Sequence, residues 1–308
     1  MDVARRKTLG LLASLALAAC KSRSGASTAG PHAPDDQARV EKEKSTSWRD
    51  LAFDAPAGLP DGEAAMVLVP DAAADKPVLV ALHGRGESGN GTTIGARAWP
   101  IEYELDRLER RLHAPPITSA DLGDVVDAAR LARINALLAD KAYAGMTVAC
   151  PYAPWQPDRA DAFQAFVVDA LLPKARAEAK ATAARERTGI DGVSMGGRLA
   201  LLVGLGRPDV FASVGALQPA VKADEAPMWS DLAQRAMARA PIKLRLVTTD
   251  KDVFREAVEA IAARLAQDNV PHELVVVPGE HGYAWNRGAG GLEMLFWHER
   301  MLRGLPGA

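Results

Sequence analysis

The stretch Gly192-Val193-Ser194-Met195-Gly196 decides the fold. In a Gly-x-Ser-x-Gly sequence a strand turns sharply into a helix, and the serine sits in a strained backbone conformation that lifts its hydroxyl clear of the sheet. Glycines stand on both sides because bulky side chains would clash at so tight a turn. Five residues with three of them fixed also occur by chance in an ordinary glycine-rich surface turn, so the rest of the chain must decide between the two interpretations.

The composition is that of a globular protein. The chain has 308 residues, of which 48% are hydrophobic and 25% are charged, which suits one large domain or two small ones. Its formal net charge is −2. Because there is no basic excess, neither nucleic acid nor an anionic membrane surface is expected as a partner.

Residues 1–20 have the pattern of a secretory signal. The basic group Arg5-Arg6-Lys7 precedes an apolar stretch that is too short to span a bilayer. The small residues before Cys20 resemble a bacterial lipobox, in which the cysteine becomes the lipidated first residue of the mature protein. We therefore expect an exported lipoprotein of the cell envelope, at the periplasmic face or in the outer membrane, attached to the membrane only through a lipid on Cys20. The alternative is an ordinary cleaved signal that leaves Cys20 unpaired.

Residues 21–47 are predicted to be a disordered tether. They are rich in Ser, Ala, Gly, Pro and charged residues and hold almost no apolar side chain that could pack. The folded domain is predicted to span residues 48–308. Its one cysteine, Cys150, lies in an apolar run, which favours a buried small hydrophobe over a nucleophile.

Short apolar strands alternate with helical patterns along the folded part. The predicted strands are 64–69, 77–82, 146–150, 188–192, 211–217, 242–248 and 273–277. The first two are expected to form an early strand pair. The alternation implies an α/β protein with a mostly parallel central sheet and helices on both faces. Residues 96–144 form a helical insertion, which is either a cap over the site or a crossover helix with surface decoration.

The loop His83-Gly84-Arg85-Gly86-Glu87-Ser88-Gly89 contains the letters of a Gly-x-Gly-x-x-Gly dinucleotide fingerprint. That fingerprint needs a helix that opens at the third glycine, whereas loop-type residues follow Gly89 here. No dinucleotide or other cofactor is therefore expected. The other use of such a loop is an oxyanion hole, built from the backbone amides of Met195 and of Arg85 or a neighbour, with His83 positioning the loop.

A histidine must take the proton of Ser194, because a hydroxyl attacks only when a base removes its proton. Four other histidines lie in the tether, in the long connection, on the terminal helical pattern and before the last strand: His32, His113, His298 and His272. His281 follows the last strand, and in a parallel sheet the loops after the strands gather at one edge. His281 is therefore the candidate base.

An orienting carboxylate for His281 comes from the loop after 242–248, where both Asp250 and Asp252 lie. Position along the chain does not decide which of the two aspartates orients His281. The order Ser, Asp, His is that of the α/β-hydrolase arrangement and differs from the orders in trypsin-like and subtilisin-like proteases. No metal is suggested, because His298-Glu299 lacks the second histidine of a zinc motif and the chain has no paired cysteines.

With these residues in place, the chain from about Ala64 to its C-terminus resembles the α/β-hydrolase superfamily, and within it bacterial esterases of the esterase-D-like branch. The matching features are Leu82-His83-Gly84, the glycines and serine of 192–197, the unit Asp252-Val253-Phe254, and Gly282 after His281. In that branch the acid is the aspartate of the Asp-x-Phe unit, which selects Asp252. Asp250 stays the alternative acid, because Thr248-Thr249 departs from the glycine-rich loop often found there.

The resemblance implies a serine hydrolase that acts on a small-molecule carboxylic ester, through an acyl-enzyme on Ser194 that water then cleaves. The order of the triad does not separate an esterase from a peptidase or an acyltransferase on the same fold. A non-catalytic, ligand-binding surface lipoprotein is the alternative from another class. Trp155 and the aromatic residues of 283–286 either line a pocket or pack beneath the loops.

Overall fold

The central sheet has eight strands in the residues that the computed structural model describes, 46–53, 64–70, 75–154 and 160–308. The strands are β1 (Thr46–Ala52), β2 (Ala64–Pro70), β3 (Val78–Leu82), β4 (Thr147–Pro151), β5 (Thr188–Gly192), β6 (Ser213–Leu217), β7 (Lys243–Lys251) and β8 (Glu273–Glu280). All described residues belong to one compact unit, Lys44–Ala308. The predicted signal segment with Cys20, most of the predicted tether, and Trp155 lie outside the described residues.

The strand order is β1-β2-β4-β3-β5-β6-β7-β8. Strand β2 is antiparallel to both β1 and β4, whereas every pairing from β4 and β3 through β8 is parallel. The predicted mostly parallel sheet is confirmed. The predicted early strand pair is wrong, because β4 lies between β2 and β3 and bonds to both.

Strand β1 forms where the sequence predicts the end of the tether and the start of the domain. Its pattern is weak, since Leu51 is buried but Ser47 and Arg49 are exposed. An edge strand needs only one partner, and β2 pairs with it from Thr46↔Pro70 to Ala52↔Ala64. Strand β1 therefore includes the last two residues of the predicted tether, 46 and 47.

Helices connect the strands. They are α1 (Arg85–Ser88), α2 (Thr92–Ala96), α3 (Leu105–His113), α4 (Ala128–Asp140), α5 (Ala160–Ala165), α6 (Leu172–Ala179), α7 (Met195–Gly206), α8 (Ala226–Arg239), α9 (Arg255–Gln267), α10 (Tyr283–Trp285) and α11 (Gly291–Leu302). π-Helical turns cover Ala98–Glu102, Phe166–Leu171 and Asn286–Gly290. None of the described helices has both the length and the apolar composition needed to cross a bilayer.

Two apolar cores cover the two faces of the sheet. Strand β3 contributes to both, with Val78, Val80 and Leu82 on one side and Leu79 and Ala81 on the other, because successive side chains of a strand alternate. Helices α5 to α9 pack on the first face, and α3, α4 and α11 pack on the second. The sheet is therefore buried on both sides, and its carboxyl edge is left to hold the site.

The insertion 96–144 packs partly as core and partly as cavity wall. Helix α3 lies so close to α11 that a Cβ atom added to Gly291 would lie 2.5 Å from Cδ1 of Leu108. At the same time Tyr103 and residues 124–126 border the cavities at the carboxyl edge. The segment therefore contributes both to the second core and to the walls of the cavities.

The segment after β3 differs from the predicted irregular loop, because it holds the short helices α1 and α2. Helix α1 begins at Arg85, immediately after Gly84, and Gly89 is the residue that ends it. The argument against a dinucleotide site still applies, since a helix ends rather than begins at the third glycine.

Cys150 lies in β4 and is a buried free thiol. Burial raises its pKa well above the ordinary value for a thiol, which disfavours the reactive thiolate. The structure therefore agrees with its interpretation as a small hydrophobic core residue.

Candidate active site

Ser194 forms the turn between β5 and α7. Its backbone has φ +58° and ψ −116°, a region that side-chain-bearing residues rarely adopt. Its N–H donates to the carbonyl of Leu217 at 2.9 Å, and its carbonyl accepts from the N–H of Ala220 at 2.9 Å. These two bonds hold the strained turn in place at the carboxyl edge of the sheet.

The glycines on either side of the turn are required by close approach. A Cβ atom on Gly192 would lie 2.5 Å from the carbonyl of Gly196, and one on Gly196 would lie 2.4 Å from the carbonyl oxygen of Leu82. Either contact is too short for real atoms. The Gly-x-Ser-x-Gly stretch is therefore the sharp strand-to-helix turn and not an ordinary surface loop.

His83 is buried and fixes the loop that precedes α1. The N–H of Ala153 donates to its Nε2 at 2.9 Å, so Nδ1 carries the proton and donates to the carbonyl of Gly84 at 2.8 Å. Burial lowers the pKa of His83, although the bond to Gly84 and the charge of Glu87 oppose that shift. The imidazole is thus a neutral structural link between β3 and the chain after β4.

His281 follows β8 and is hydrogen-bonded to Asp252 at the end of β7. Its Nδ1 lies 2.8 Å from Oδ1 of Asp252, whose side chain is completely buried, whereas the His281 side chain is 24% exposed. Because the carboxylate can only accept, Nδ1 carries the proton and Nε2 is left with a lone pair. A lone pair on the exposed nitrogen is what a general base requires.

The surroundings of Asp252 hold its carboxylate in one orientation. The hydroxyl of Thr248 donates to Oδ2 at 2.8 Å, and the N–H of Phe254 donates to Oδ1 at 3.1 Å. The ring of Phe254 meets the imidazole of His281 edge-on, with centroids 5.4 Å apart. The Asp-x-Phe unit therefore supplies both the carboxylate and a wall against the histidine.

Asp250 has a different partner. Its Oδ1 accepts from the N–H of Gly279 at 2.8 Å, and the residue is exposed. It braces the end of β8, while Asp252 contacts His281. Of the two aspartates that the sequence left open, the geometry favours Asp252.

Gln218, which the sequence analysis did not single out, ties the loops of the site together. Its Nε2 donates to the hydroxyl of Thr249 at 2.9 Å and to the carbonyl of Glu280 at 3.2 Å. The ends of β6, β7 and β8 are thereby linked, immediately before His281 in the chain.

A cavity of about 250 Å³ is lined by both Ser194 and His281. Gly84, Arg85 and Gly86 border it as well, and so do Glu87, Tyr103 and Tyr283. Burial, followed by the neighbouring Glu87, raises the pKa of each tyrosine above its ordinary value. The sequence had indicated Tyr283 as a candidate wall residue but gave no signal for Glu87 or Tyr103.

A second cavity, of about 490 Å³, shares residues 281–283 with the first. Val125, Val126 and Trp285 contribute apolar surface to it, and Asp250 and Lys251 contribute charge. Trp285 is almost fully buried, whereas Tyr283 is 44% exposed. Both alternatives for the aromatic loop therefore apply, since its residues line cavities and also pack beneath the chain.

The remaining histidines lie away from this edge. His113 bonds to Glu109 at 2.8 Å, and His272 precedes β8 and bonds to the carbonyl of Val270. His298 is fully buried between Asp191 and Ser213, on the helix that covers the second face of the sheet. The sequence placed His298 on the terminal helix but did not predict these partners.

The geometry assembles the parts of a nucleophilic acyl-transfer site. It offers a hydroxyl on a strained turn, an imidazole held in the tautomer that accepts a proton, and a buried carboxylate behind that imidazole. The amides of Met195 and Arg85 begin α7 and α1, where first-turn N–H groups have no acceptor within the helix. In the described residues no group of three or more His, Cys, Asp or Glu is placed to hold a metal ion.

Comparison with known sequences gives one family. Residues 139–282, which run from just before β4 to just beyond His281, match the family model Esterase, described as "Putative esterase". A search of curated proteins found no significant match.

Comparison with solved structures gives the fold. The chain is similar to a ferulic acid esterase, with 17% identity, a TM-score of 0.61, and 84% of this chain and 99% of that chain covered. An S-formylglutathione hydrolase from Staphylococcus aureus is 14% identical, with a TM-score of 0.57 and coverage of 82% and 99%. A feruloyl esterase module from Clostridium thermocellum is 12% identical, with a TM-score of 0.58 and coverage of 82% and 88%. The predicted α/β-hydrolase fold is confirmed, and so is the predicted resemblance to esterases.

Proposed function

We propose that this chain, which has the α/β-hydrolase fold and whose residues 139–282 match an esterase family model, hydrolyses small-molecule carboxylic esters through an acyl-enzyme on Ser194. The observation that carries the proposal is the hydrogen bond of 2.8 Å between His281 and Asp252, beside the cavity that Ser194 lines. The likeness in fold to ester hydrolases supports the same reaction class.

The proposed reaction has two halves. Nε2 of His281 takes the proton of Ser194 as its oxygen attacks the ester carbonyl, and the histidine then gives that proton to the departing alcohol. Water, activated by His281, cleaves the acyl-enzyme in the second half. Asp252 holds the imidazole in the required tautomer and stabilises its positive charge while the proton is on it.

The developing oxyanion needs donors that are fixed before the reaction begins. The proposed donors are the backbone amides of Met195 and Arg85, the first residues of α7 and α1. The bonds of His83 to Ala153 and Gly84 support this assignment, because they hold the loop that carries Arg85.

The test is the hydrolysis of p-nitrophenyl acetate, butyrate and octanoate by the wild type, Ser194→Ala and His281→Ala. The wild type is expected to turn over the short esters, and each variant is expected to lose about 10³- to 10⁶-fold in kcat/KM. His272→Ala is the matched control, since His272 lies at the opposite end of β8, and it should keep the wild-type rate.

Labelling with a fluorophosphonate separates the possible outcomes. Modification of Ser194 without ester turnover, together with cleavage of matched amides, would favour a peptidase on the same fold. A folded chain that neither hydrolyses esters nor reacts at Ser194 would make a ligand-binding protein the better account.

We also propose that the chain is exported and carries a lipid on Cys20. The support is the order of basic residues, apolar stretch and small residues before Cys20. Metabolic labelling with an alkyne fatty acid should mark the wild type and the control Cys150→Ala but not Cys20→Ser. Equal labelling of wild type and Cys20→Ser would contradict the proposed anchor.

A further inference from the structure

Glu87 is a buried carboxylate in the wall of the cavity that holds Ser194. The residue is 2% exposed and lines the same cavity as Ser194 and His281. A Cβ atom added to Gly84 would lie 3.1 Å from Oε2 of Glu87 and 3.8 Å from Cβ of Ser194. The carboxylate and the proposed nucleophile therefore border the same point, yet ester hydrolysis as described above makes no use of Glu87.

The groups around Glu87 do not neutralise it. Among the described residues, no lysine, arginine or histidine forms an ion pair with its carboxylate. Its neighbours are the hydroxyls of Tyr103 and Tyr283, and His83 is held neutral by burial. Arg85 also lines the cavity, but it is exposed, so water screens its charge more than the charge of Glu87.

A carboxylate at this position opposes the proposed reaction with a neutral ester. The intermediate on Ser194 carries an oxyanion, and a nearby carboxylate raises the energy of that charge. Hydrogen bonds from the hydroxyls of Tyr103 and Tyr283 offset part of the cost of burying the carboxylate, but neither group carries a positive charge. A cation in the cavity relieves both problems at once.

The aromatic side chains fit the same occupant. Tyr103 and Tyr283 meet edge to face, with ring centroids 5.5 Å apart, and both line the cavity beside Glu87. Aromatic rings attract cations electrostatically, and together with a carboxylate they recognise substituted ammonium groups. The volume of about 250 Å³ leaves room for a small group of this kind.

We propose that Glu87 selects esters that carry a positive charge near the reacting carbonyl, such as a protonated or quaternary amine. The inference rests on the proposed ester hydrolysis and adds the substrate class to it. The charge can belong to the acyl group or to the alcohol, and these two sources share the chemistry that Glu87 would recognise.

The experiment compares cationic esters with neutral esters of the same shape. In the acyl arm, p-nitrophenyl 4-(trimethylammonio)butyrate is compared with p-nitrophenyl 5,5-dimethylhexanoate. In the alcohol arm, acetylcholine is compared with 3,3-dimethylbutyl acetate. Using the full chain, kcat/KM is divided by the uncatalysed rate constant for each ester. The wild type is expected to prefer the cation by tenfold or more in one arm, which identifies the part of the ester that carries the charge.

The variants test whether Glu87 causes the preference. Glu87→Gln should bring the ratio in that arm close to one, whereas Glu87→Asp, which keeps the charge, should preserve its direction. Glu102→Gln is the matched control, because Glu102 is a half-exposed carboxylate near Tyr283, and it should retain the wild-type ratio. Ratios within one variant cancel any general loss of active enzyme.

Two results would overturn the inference. One is a wild-type ratio near one in both arms while p-nitrophenyl acetate is still hydrolysed. The other is an unchanged ratio in Glu87→Gln that still reacts with a fluorophosphonate at Ser194. If the wild type hydrolyses no ester and is not labelled at Ser194, the proposed function has failed, and the inference fails with it.

Discussion

Two Ser-His-Asp sets occur in the described part of the chain, one beside a cavity and the other in the core. In the first, Asp252 bonds to Nδ1 of His281 at 2.8 Å beside the cavity of Ser194. In the second, Ser213 lies 2.8 Å from Nδ1 of His298, and Asp191 lies 3.0 Å from its Nε2. The side chains of His298 and Asp191 are completely buried. We refer to Ser194, His281 and Asp252 as the edge set, and to Ser213, His298 and Asp191 as the buried set.

The difference shows that three residue types in hydrogen-bond contact do not make a catalytic site. In the edge set the carboxylate of Asp252 accepts the proton on Nδ1 of His281. The other nitrogen, Nε2, has no such partner among the described residues and can act on a substrate in the cavity. In the buried set both nitrogens have partners inside the protein, and Ser213 lies within strand β6 rather than on a strained turn. Access and backbone geometry therefore separate the two sets more than residue identity does.

The buried set stabilises the sheet, because its hydrogen bonds join β5 and β6 to helix α11. Oδ1 of Asp191 accepts from the N–H of Gly192 at 2.7 Å, directly before the turn that carries Ser194. Two glycines leave the space that these side chains occupy. A Cβ atom on Gly215 would lie 2.1 Å from Oδ2 of Asp191, and one on Gly189 would lie 2.5 Å from Oγ of Ser213. Burial lowers the pKa of His298, although Asp191 opposes that shift.

The largest expected effect comes from removing the acid of the edge set. Asp252→Asn removes the negative charge that stabilises protonated His281. Its amide can also turn its NH₂ group toward Nδ1, so it no longer fixes the tautomer in which Nε2 acts as a base. We expect kcat to fall about 10⁴-fold. The measurement is p-nitrophenyl acetate hydrolysis, normalised to the folded fraction.

Asp250→Asn is the matched control for this prediction, because an asparagine can still accept the bond from Gly279. We expect its rate to stay within tenfold of the wild type. A larger loss in Asp250→Asn than in Asp252→Asn would mean that the acid has been misassigned.

The next effect concerns the buried set, and it is expected in stability rather than rate. His298→Asn leaves Asp191 and Ser213 without their partner in the core, which we expect to lower the free energy of unfolding by about 3 kcal/mol. Urea unfolding followed by fluorescence measures this change. His272→Asn should cost less than about 1 kcal/mol, because His272 is only half-buried. Equal stability of the two variants would remove the structural role assigned to the buried set.

The comparison also shows what the sequence can predict. Ser194 and His281 were predictable, because one lies in a local motif and the other follows from the rule that loops after parallel strands share an edge. Asp252 and Asp250 were harder to separate, since they are two residues apart on that edge and differ only in the partners they contact.

Other features depend on long-range packing, which a sequence pattern does not display. His298 is 85 residues from Ser213 and 107 residues from Asp191 along the chain. Glu87 is buried beside Tyr103 and Tyr283, which come from other parts of the fold. Strand β1 was missed for a related reason, since its edge position demands little apolar alternation.

The smallest effect is a pH dependence of stability that should follow the buried set. Burial lowers the pKa of His298. Below about pH 6.5 this histidine therefore binds a proton in the unfolded chain but not in the folded chain. Stability should therefore decrease as the pH falls from about 6.5 toward the lower pKa of the folded state, by at most about 1.4 kcal/mol per pH unit for this histidine. His83 should add to the slope, since burial lowers its pKa as well.

His298→Asn removes one of the two contributions, so its unfolding free energy between pH 5 and 6.5 should vary less with pH than that of the wild type. An identical slope in both proteins would show that His298 binds its proton equally well in the folded and the unfolded chain. The contrast between a solvent-accessible edge set and a neutral buried set would then be lost.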